Sequence, residues 1–346
     1  MKKYLVYLSG DYLNLALEEL KASLEAEDIP YSNMELISQI VIFESNKEPL
    51  VAIRRCAYTH FLAELCFIGE IENNKIDVQV LTLPNLEEKK SIRVRIKKIG
   101  KNKSNFSTSE MEKTIAKEIY EHYLNHDFEV DLINADYTFR GICIANKLFV
   151  GFELYIQDKK EIVKREPGKR PVFRPGAMKV KFSRSLVNLC RVKKDSIFYD
   201  PFCGGGGLLL ETLLLGAYSI GSDLDYRAIE SSKVNLKTYV QKKYELLVAD
   251  SRKLPIIRAD AIATDPPYSI QSSTHGEEIL SLLSKFLEEA QSLLKKGSYC
   301  VFCSPKKNQP EKIIDDFPSF SLKTIIDTRI HKSLTRRIIV LVKNSD

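Results

Sequence analysis

The second half of the sequence alternates continuous apolar runs with segments of helical period, and this pattern constrains the fold more than any other feature. Apolar runs of this kind are typical of strands in a parallel sheet that helices cover on both faces. Only the last two runs lack a helix between them, which predicts a terminal antiparallel hairpin. The pattern therefore predicts an α/β domain over residues 176–346 with seven strands, at residues 196–200, 218–223, 246–250, 261–264, 299–304, 322–330 and 336–343.

A glycine-rich turn, Asp200-Pro-Phe-Cys-Gly-Gly-Gly-Gly207, follows the first of these strands and precedes a predicted helix over residues 208–215. Glycines let such a turn fold tightly and let a cofactor approach the backbone. Dehydrogenases use a similar turn for pyrophosphate, but Asp200 would repel phosphates, and both the G-x-G-x-x-G register and the Walker lysine are missing. A carboxylate suits the ammonium group of a methionine-derived cofactor instead. The turn therefore predicts an S-adenosyl-L-methionine site containing Asp200, Pro201, Phe202, Gly204 and Gly206.

Further acids end the next two strands. Asp223 stands where a carboxylate binds ribose hydroxyls in related nucleotide sites, and Leu224 follows it. Asp250, followed by Ser251, is placed to accept a hydrogen bond from the adenine amine. Asp225 is a second ribose candidate, although capping the following helix is its preferred role. Each acid alone is also compatible with an ordinary turn, but their succession along one sheet edge favours a cofactor site.

The tetrapeptide Asp265-Pro-Pro-Tyr268 ends the fourth strand. An aryl amine is a poor nucleophile because its lone pair is delocalised into the ring. The Asp265 carboxylate and the Pro266 carbonyl can accept the two amine hydrogens and orient the nitrogen toward a methyl donor. Tyr268 can stack on a base that has left its helix. The motif therefore predicts methylation of an exocyclic base amine, with Asp265, Pro266 and Tyr268 in the catalytic centre.

Basic residues are concentrated in two stretches, although the net charge is only +6. Residues 159–184 contain ten basic residues against two acids, and residues 91–105 contain six basic residues and no acid. Either run alone is more typical of a solvated surface, but two of them favour a polyanionic partner. The residues predicted to bind RNA are Arg93, Arg95, Lys97, Lys98, Lys101, Arg174 and Tyr268.

The seven cysteines are scattered, which predicts a reducing compartment rather than a disulfide framework. Cys300 and Cys303 have the spacing of half a zinc site, but their apolar surroundings favour a buried strand. His122 and His126 lie one helical turn apart without further ligands, so we expect no metal. The apolar run at the N-terminus stops at Gly10, which is too early for a signal peptide or membrane span. We expect a soluble, cytoplasmic protein without a membrane partner.

The first half predicts two small α+β units, over residues 1–68 and 69–157. In the second unit, residues 92–96 alternate apolar with basic side chains, as in a strand with one buried face. Ser109 and Glu112 predict a capping box at the start of a helix over residues 110–124, and a further strand is predicted over residues 130–133. Residues 158–175 are basic, contain prolines and lack an apolar period, which predicts a linker or extended arm.

Taken together, these motifs resemble the archaeal tRNA (guanine-10-N2)-methyltransferases and their eukaryotic relatives. The stretches Phe173-Arg-Pro-Gly-Ala-Met178 and Phe182-Ser-Arg-Ser-Leu-Val-Asn-Leu189 resemble the family's segment that helps enclose the cofactor, which adds Phe182 and Ser183 to the predicted cofactor site. His331-Lys-Ser-Leu-Thr-Arg336 resembles the family's hairpin signature. Two positions depart from the family pattern: Gly205 replaces a usual Thr or Ser, and Ser269 replaces a usual Gly.

The resemblance implies a Rossmann-like methyltransferase domain preceded by ferredoxin-like and THUMP domains, the latter an RNA-binding module. It implies tRNA as the partner and guanine 10 as the target. A small activator subunit is a further candidate partner. The main alternative is an N2-guanine methyltransferase that acts at another position of tRNA or on ribosomal RNA. An adenine-N6 DNA methyltransferase shares the Asp-Pro-Pro-Tyr motif, and a non-catalytic RNA-binding protein is the alternative outside the enzymes.

Overall fold

The computed structural model of the chain describes residues 1–72, 75–100, 106–123, 127–268 and 275–344. Short 3₁₀ helices lie at Pro167–Lys169, Lys306–Asn308 and Pro310–Asp316. In chain order the elements are β1 (Lys2–Leu8), α1 (Leu13–Ala26), β2 (Ser32–Ile37), β3 (Ile40–Ser45), α2 (Leu50–Arg55), β4 (Thr59–Glu72), β5 (Lys75–Val80), β6 (Ser91–Ile99), α3 (Thr108–His122), β7 (Glu129–Val130), β8 (Tyr137–Ile144), β9 (Lys147–Ile156), α4 (Lys159–Lys164), α5 (Val180–Leu189), β10 (Ile197–Asp200), α6 (Gly207–Leu214), β11 (Tyr218–Asp223), α7 (Tyr226–Tyr239), β12 (Tyr244–Val248), β13 (Ala259–Thr264), α8 (His275–Leu293), β14 (Leu294–Pro305), β15 (Phe320–His331) and β16 (Leu334–Lys343).

The chain divides into two compact units. The first contains Met1–Asp11, Ile29–Arg54 and Thr59–Gln157, and the second contains Tyr12–Asp28, Arg55–Tyr58 and Asp158–Asp346. Helix α1 therefore belongs to the second unit, whereas the strands on either side of it belong to the first. Residues 68 and 69 both lie inside strand β4, and the domain boundary expected between them stays a prediction.

The first unit contains one sheet with the strand order β2-β3-β1-β4-β9-β8-β6-β7, and β5 pairs with β4. In β6 the apolar residues Ile92, Val94 and Ile96 are buried and pack in one core with Met111 of α3. The basic residues between them, which include Arg93, occupy the opposite face of the strand. The alternation that the sequence predicts for this strand is confirmed.

Two local expectations in this part of the chain are wrong. The capping box is formed by Ser107 and Glu110 instead of Ser109 and Glu112, because Ser107 Oγ accepts from the Glu110 amide and Glu110 Oε2 accepts from the Ser107 amide. The strand predicted over residues 130–133 ends at Val130, since Asp131 Oδ1 accepts the amides of residues 133 and 134 in a turn. Residues 158–175, which the sequence predicts as a linker or extended arm, begin with α4, and Asp158 caps this helix at 2.8 Å through the Lys160 amide. Their role as a linker stays a prediction.

The second unit contains the seven-stranded sheet that the sequence predicts, in the order β12-β11-β10-β13-β14-β16-β15. Strands β10 to β14 pair in parallel, and β16 runs antiparallel to both of its neighbours, β14 and β15. Tyr199, Phe286 and Phe302 are fully buried and belong to one core cluster between the sheet and α8. A helix expected between β12 and β13 is absent from residues 249–258, all of which are described.

The predicted buried strand around Cys300 and Cys303 is confirmed in β14, where both thiols are free and fully buried. Among the described residues, no group of three or more His, Cys, Asp or Glu side chains is arranged to hold a metal ion. His126 lies outside the described residues. No helix of the described ranges combines the length and the apolar character that a membrane span needs.

Candidate active site

The predicted acids lie at one edge of the second sheet. Asp200 and Asp223 are the last residues of β10 and β11, and Asp265 follows the last residue of β13. Strand β10 lies between β11 and β13, so these three carboxylates come from three adjacent parallel strands. Ligands of open α/β sheets bind at the carboxyl ends of such strands. Asp250 comes two residues after the end of β12, on the far side of β11.

The turn between β10 and α6 requires glycine at two positions. Gly204 and Gly206 have φ angles of +53° and +78°, which L side chains rarely adopt. A Cβ on Gly206 would also lie 3.1 Å from Ser232 Oγ on α7. The Gly204 amide donates to Asp223 Oδ2 at 2.9 Å, and the Phe202 amide donates to Asp200 Oδ1 at 3.1 Å. The turn is therefore held against both strand ends, and the side chains of Ser232 and Asn235 donate to the carbonyls of residues 204 and 205.

Asp200 is buried and has no cationic partner among the described residues. Its Oδ1 accepts from Thr264 Oγ1 at 2.7 Å, and only 2% of the residue is exposed. Burial raises the pKa of Asp200 to about 7, and the nearby charges of Asp223 and Asp265 act in the same direction. A cation bound at this point would restore the ionised form. The site therefore fits the ammonium group that the sequence predicts there.

Asp223 is oriented by backbone amides at both oxygens, since Oδ1 accepts from the Asp225 amide at 3.0 Å. A carboxylate fixed in this way retains lone pairs for vicinal hydroxyls. Asp225 caps α7 through the Arg227 amide at 2.9 Å, as expected. It also pairs with Arg174 at 2.7 Å, so this residue, which the sequence predicts to bind RNA, lies beside the glycine-rich turn. The side chain of Leu224 between the two acids is 69% exposed.

Asp250 forms an ion pair that the sequence motifs did not predict. Arg252 Nε lies 3.0 Å from each of its carboxylate oxygens, which lowers the pKa of Asp250 to about 2. Ser251 between them is buried. The Arg252 side chain is half exposed. The two-residue spacing of opposite charges was the available signal for this pair.

The Asp265–Tyr268 tetrapeptide contacts an arginine from the C-terminal hairpin. Arg336 Nη2 lies 3.2 Å from Asp265 Oδ2, and Arg336 Nε donates to the Tyr268 hydroxyl. That hydroxyl in turn donates to Asp265 Oδ1. The Arg336 guanidinium lies 4.9 Å from the ring centre of Phe182 and 5.3 Å from that of Tyr268. The sequence pointed to Arg336 only as part of a hairpin signature, and its contact with Asp265 was missed.

The opposite charges of Asp265 and Arg336 stabilise each other. Burial raises the pKa of Asp265, whereas the Arg336 charge and the Tyr268 hydrogen bond oppose that rise. Burial alone would lower the pKa of Arg336, but the Asp265 charge reverses the effect and holds it above its ordinary value. Burial also raises the pKa of Tyr268, so its hydroxyl remains a proton donor. Pro266 is buried, and no described donor bonds to its carbonyl.

The remaining predicted cofactor residues surround the same turn. Pro201 and Ser183 are buried, and the Phe202 ring packs edge-on against Phe286 at 6.3 Å. A Cβ built on Gly205 would lie 3.8 Å from the Arg174 side chain. The other departure from the family pattern, Ser269, lies outside the described residues.

The predicted RNA-binding residues of β6 all have partners within the first unit. Arg93 donates to the carbonyl of residue 133 at 2.7 Å, and Arg95 donates to that of residue 132 at 2.5 Å. Lys97 bonds the Tyr7 hydroxyl at 3.0 Å, and Lys98 donates to the carbonyl of residue 106. These bonds fix the positions of the cations, and their role in binding RNA stays a prediction. Lys101 lies outside the described residues.

A seven-stranded sheet with a terminal antiparallel hairpin, a glycine-lined turn and an Asp-Pro-Pro-Tyr segment at its carboxyl edge defines a Rossmann-like methyltransferase. Comparison with known protein families supports this assignment. The RMKL-like methyltransferase domain family matches residues 167–338, and the THUMP domain family matches residues 77–153. The crystal structure of TrmN from Thermus thermophilus has a similar fold, with a TM-score of 0.55 at 21% identity over 99% of both chains.

Two curated relatives match nearly the full length of the chain. The tRNA (guanine(10)-N2)-dimethyltransferase of Methanothermobacter thermautotrophicus is 32% identical over 340 residues, which cover 97% of this chain and 98% of that protein. The enzyme of the same name from Methanocaldococcus jannaschii is 31% identical over 97% of this chain and 98% of its own length. The chain belongs to the tRNA (guanine(10)-N2)-dimethyltransferase family, which confirms the resemblance drawn from its motifs.

Proposed function

We propose that this protein transfers methyl groups from S-adenosyl-L-methionine to the exocyclic N2 amine of guanosine 10 in tRNA. The observation that carries the proposal is the cluster at the end of β13, where Asp265 lies beside Tyr268 and pairs with Arg336 at 3.2 Å. The full-length similarity to two tRNA (guanine(10)-N2)-dimethyltransferases supports the choice of guanine and of tRNA. Their names also favour the addition of two methyl groups.

The residues at the carboxyl edge of the second sheet have separate roles, some in binding the methyl donor and others in orienting the base. The methyl donor supplies an electrophilic methyl group when it is bound, with Asp200 available for its ammonium group and Asp223 for its ribose hydroxyls. Asp265 and the Pro266 carbonyl accept the two hydrogens of the base amine and orient its lone pair. The amine becomes acidic as it is methylated, and Asp265 then accepts the released proton. Transfer therefore needs no strong base before the substrate binds.

The hydrogen bonds inside the cluster must change when the base enters. In the structure, both oxygens of Asp265 are engaged, one by Tyr268 and the other by Arg336. If the Tyr268 hydroxyl leaves Asp265, it frees one oxygen for the amine, and the ring becomes available to stack on the base. During this exchange Arg336 can stay paired with the second oxygen and keep the Asp265 carboxylate ionised. The proposal thus assigns Tyr268 two successive partners, Asp265 and the base.

Mass-spectrometric nucleoside mapping of an unmodified tRNA transcript tests the proposal directly. After incubation with the protein and S-adenosyl-L-methionine, we expect N2-methylguanosine at position 10 first and N2,N2-dimethylguanosine there later. A matched transcript with adenosine at position 10 should remain unmodified. Methylated guanine at another position, or in ribosomal RNA only, would favour the alternative target. Methylated adenine, or no methylation at all, would contradict the assignment to guanine N2.

Replacing Arg93, Arg95 and Lys97 together by alanine should weaken tRNA binding and flatten its salt dependence. Each phosphate that a cation neutralises releases counterions, so the slope of log K against log salt concentration falls by about 0.7 to 0.9 for each phosphate that the variant no longer neutralises. Filter binding of tRNA at several salt concentrations measures that slope.

The matched control keeps the charges and removes the arginine geometry. In the double variant Arg93→Lys and Arg95→Lys, the bonds to the carbonyls of residues 133 and 132 are weakened, but the strand remains cationic. We expect this variant to keep most of the wild-type slope. If the triple alanine variant is folded and has the wild-type slope, β6 is not part of the RNA-binding surface.

A further inference from the structure

The Arg336 guanidinium contacts an aromatic ring that does not belong to the Asp265–Tyr268 segment. The ring is that of Phe182 on α5, and its centre lies 4.9 Å from Arg336 Cζ. Only 4% of Phe182 is exposed, and the Arg336 side chain is 11% exposed. A guanidinium is attracted to the face of an aromatic ring, and the attraction is stronger where water is excluded. The contact therefore restrains the cation that pairs with Asp265.

The proposed function makes this contact more important when the base enters. An arginine side chain has many rotamers, and its pairing with Asp265 requires one of them. In the structure Arg336 also contacts Tyr268, through a hydrogen bond from Nε and a distance of 5.3 Å to the ring centre. Both of these contacts weaken if Tyr268 turns from Asp265 to the base. Of the two rings, Phe182 is then the one that still holds Arg336.

Helix α5 holds Phe182 in place independently of Tyr268. The helix is anchored at its other end by Asn188, which is fully buried. Asn188 Nδ2 donates to Glu19 Oε1 on α1 at 2.8 Å and to the carbonyl of residue 55 at 2.9 Å. Its Oδ1 accepts from Arg55 Nε at 3.0 Å. These bonds fix α5 against α1, so the backbone that carries the Phe182 ring is rigidly placed.

Tyr12 connects Phe182 with the hairpin that carries Arg336. Its ring packs edge-on against Phe182 at 6.4 Å, which is a favourable geometry for two aromatic rings. Its hydroxyl donates to the carbonyl of residue 329 at 3.2 Å. Residue 329 lies on β15 and pairs with residue 335 of β16, directly before Arg336. One side chain therefore contacts both the ring that supports Arg336 and the strand beside Arg336.

We propose that Phe182 and Tyr12 are positioning residues for Arg336 in the catalytic centre. Phe182 holds the guanidinium beside Asp265, and Tyr12 holds Phe182 against the C-terminal hairpin. This inference rests on the proposed function and goes beyond it. Tyr12 belongs to none of the sequence motifs, and the sequence predicts Phe182 as a cofactor contact instead. In the new role, neither residue needs to touch the base or the methyl donor.

Single-turnover methylation of a tRNA transcript by four forms of the full-length chain tests the role of Phe182. They are the wild type, Phe182→Leu, Arg336→Ala and the double variant. We expect Phe182→Leu to lower the rate about 5- to 30-fold, which corresponds to the loss of a desolvated cation–π contact. In the Arg336→Ala background the same change should cost less than about 2-fold, because the cation that Phe182 positions is gone.

A titration with S-adenosylhomocysteine tells the positioning role apart from the predicted cofactor contact. If Phe182 acts through Arg336, its effect falls on the transition state. The affinity of Phe182→Leu for S-adenosylhomocysteine should then stay within about 3-fold of the wild-type value. Isothermal titration calorimetry of the two proteins measures this ratio.

The matched control for a general loss of packing is Phe320→Leu. Phe320 is 5% exposed and has Lys343 Nζ 5.6 Å from its ring centre, so it also combines burial with a cation contact. It pairs with the last residue of β16, at the opposite end of this strand from Arg336. We expect this variant to lower the thermal stability as Phe182→Leu does and to keep the wild-type rate. The rates are compared at a temperature at which thermal unfolding shows both variants to be folded.

Two variants of Tyr12 test the second positioning residue. Tyr12→Leu removes the edge-on ring and should lower the rate about 2- to 10-fold. Tyr12→Phe keeps the ring and loses only an exposed hydrogen bond, so its rate should stay within about 3-fold of the wild-type value. Rescue by the conservative change shows that the ring contact with Phe182 carries the effect.

Three outcomes would overturn the proposal and leave the proposed function standing. If Phe182→Leu slows transfer by the same factor with and without Arg336, the residue supports the fold and does not act through Arg336. If it weakens S-adenosylhomocysteine by about 10-fold or more, Phe182 contacts the methyl donor. If Phe182→Leu or Tyr12→Leu has the wild-type rate, that residue does not position Arg336. If instead the wild-type protein transfers no methyl group to tRNA, the proposed function fails together with this inference.

Discussion

The variant Asp265→Ala should lose methyl transfer by at least about 10³-fold while its affinity for tRNA stays nearly unchanged. The change removes the carboxylate that we propose as the acceptor of an amine hydrogen and of the released proton, and it leaves the basic strand β6 intact. Single-turnover methylation of a tRNA transcript with a radiolabelled methyl donor measures the loss. Filter binding of the same transcript measures the affinity.

A matched variant separates the effect of the side-chain oxygen at position 265 from the effect of its negative charge. Asp265→Asn keeps one side-chain oxygen as an acceptor but removes the charge that pairs with Arg336. We expect its rate to lie between those of the wild type and Asp265→Ala. If Asp265→Ala methylates tRNA at the wild-type rate, the assignment of the catalytic centre to the end of β13 is wrong.

The second sheet and its acids could be predicted because their signals are local. A buried parallel strand is an unbroken apolar run, and the residue that follows it lies at the carboxyl edge whatever the rest of the chain does. Asp200, Asp223 and Asp265 were therefore placed correctly from their positions in the sequence. The glycines of the turn were identified for the same reason, since a positive φ at Gly204 and Gly206 is a requirement of the backbone itself.

Contacts between residues distant in the sequence could not be predicted in this way. Arg336 is 71 residues from Asp265, and only the pairing of β16 beside β14, next to β13, brings the two together. Arg170 Nη2 and Ser183 Oγ are buried without a hydrogen-bond partner among the described residues, and this too can be seen only in the folded chain. Helix α1 is a related case: its apolar period predicts a helix, but not the unit in which the helix packs.

Two overlapping capping-box patterns explain why the start of α3 was predicted at the wrong serine. Two serines, at 107 and 109, each stand three residues before a glutamate, so the capping-box pattern alone does not choose between them. Glu112 is engaged elsewhere, since its Oε1 accepts from the Ile96 amide of β6 at 2.9 Å. Its tertiary contact with the strand leaves the helix start to Ser107 and Glu110.

The variant Arg336→Ala should slow methyl transfer by roughly 10²- to 10³-fold at neutral pH and should move the acid limb of the pH–rate profile to higher pH. The direction of this pH shift follows from the groups around Asp265. Burial raises its pKa, and Arg336 opposes that rise, so removing Arg336 raises the pKa further. Asp265 then becomes protonated at a higher pH, and a protonated carboxyl is a poorer acceptor for the amine. The pH dependence of kcat/KM reports this limb.

Two variants on the same strand decide whether Arg336 acts through its charge. Arg336→Lys keeps a cation near Asp265 but loses the planar contacts with Phe182 and Tyr268, so it should return the acid limb toward the wild-type pH without restoring the full rate. Arg337→Ala removes a neighbouring arginine that pairs with Asp327 at 2.8 Å and should leave the limb in place. If Arg336→Ala lowers the rate equally at every pH, Arg336 supports the hairpin structurally and does not set the charge of Asp265.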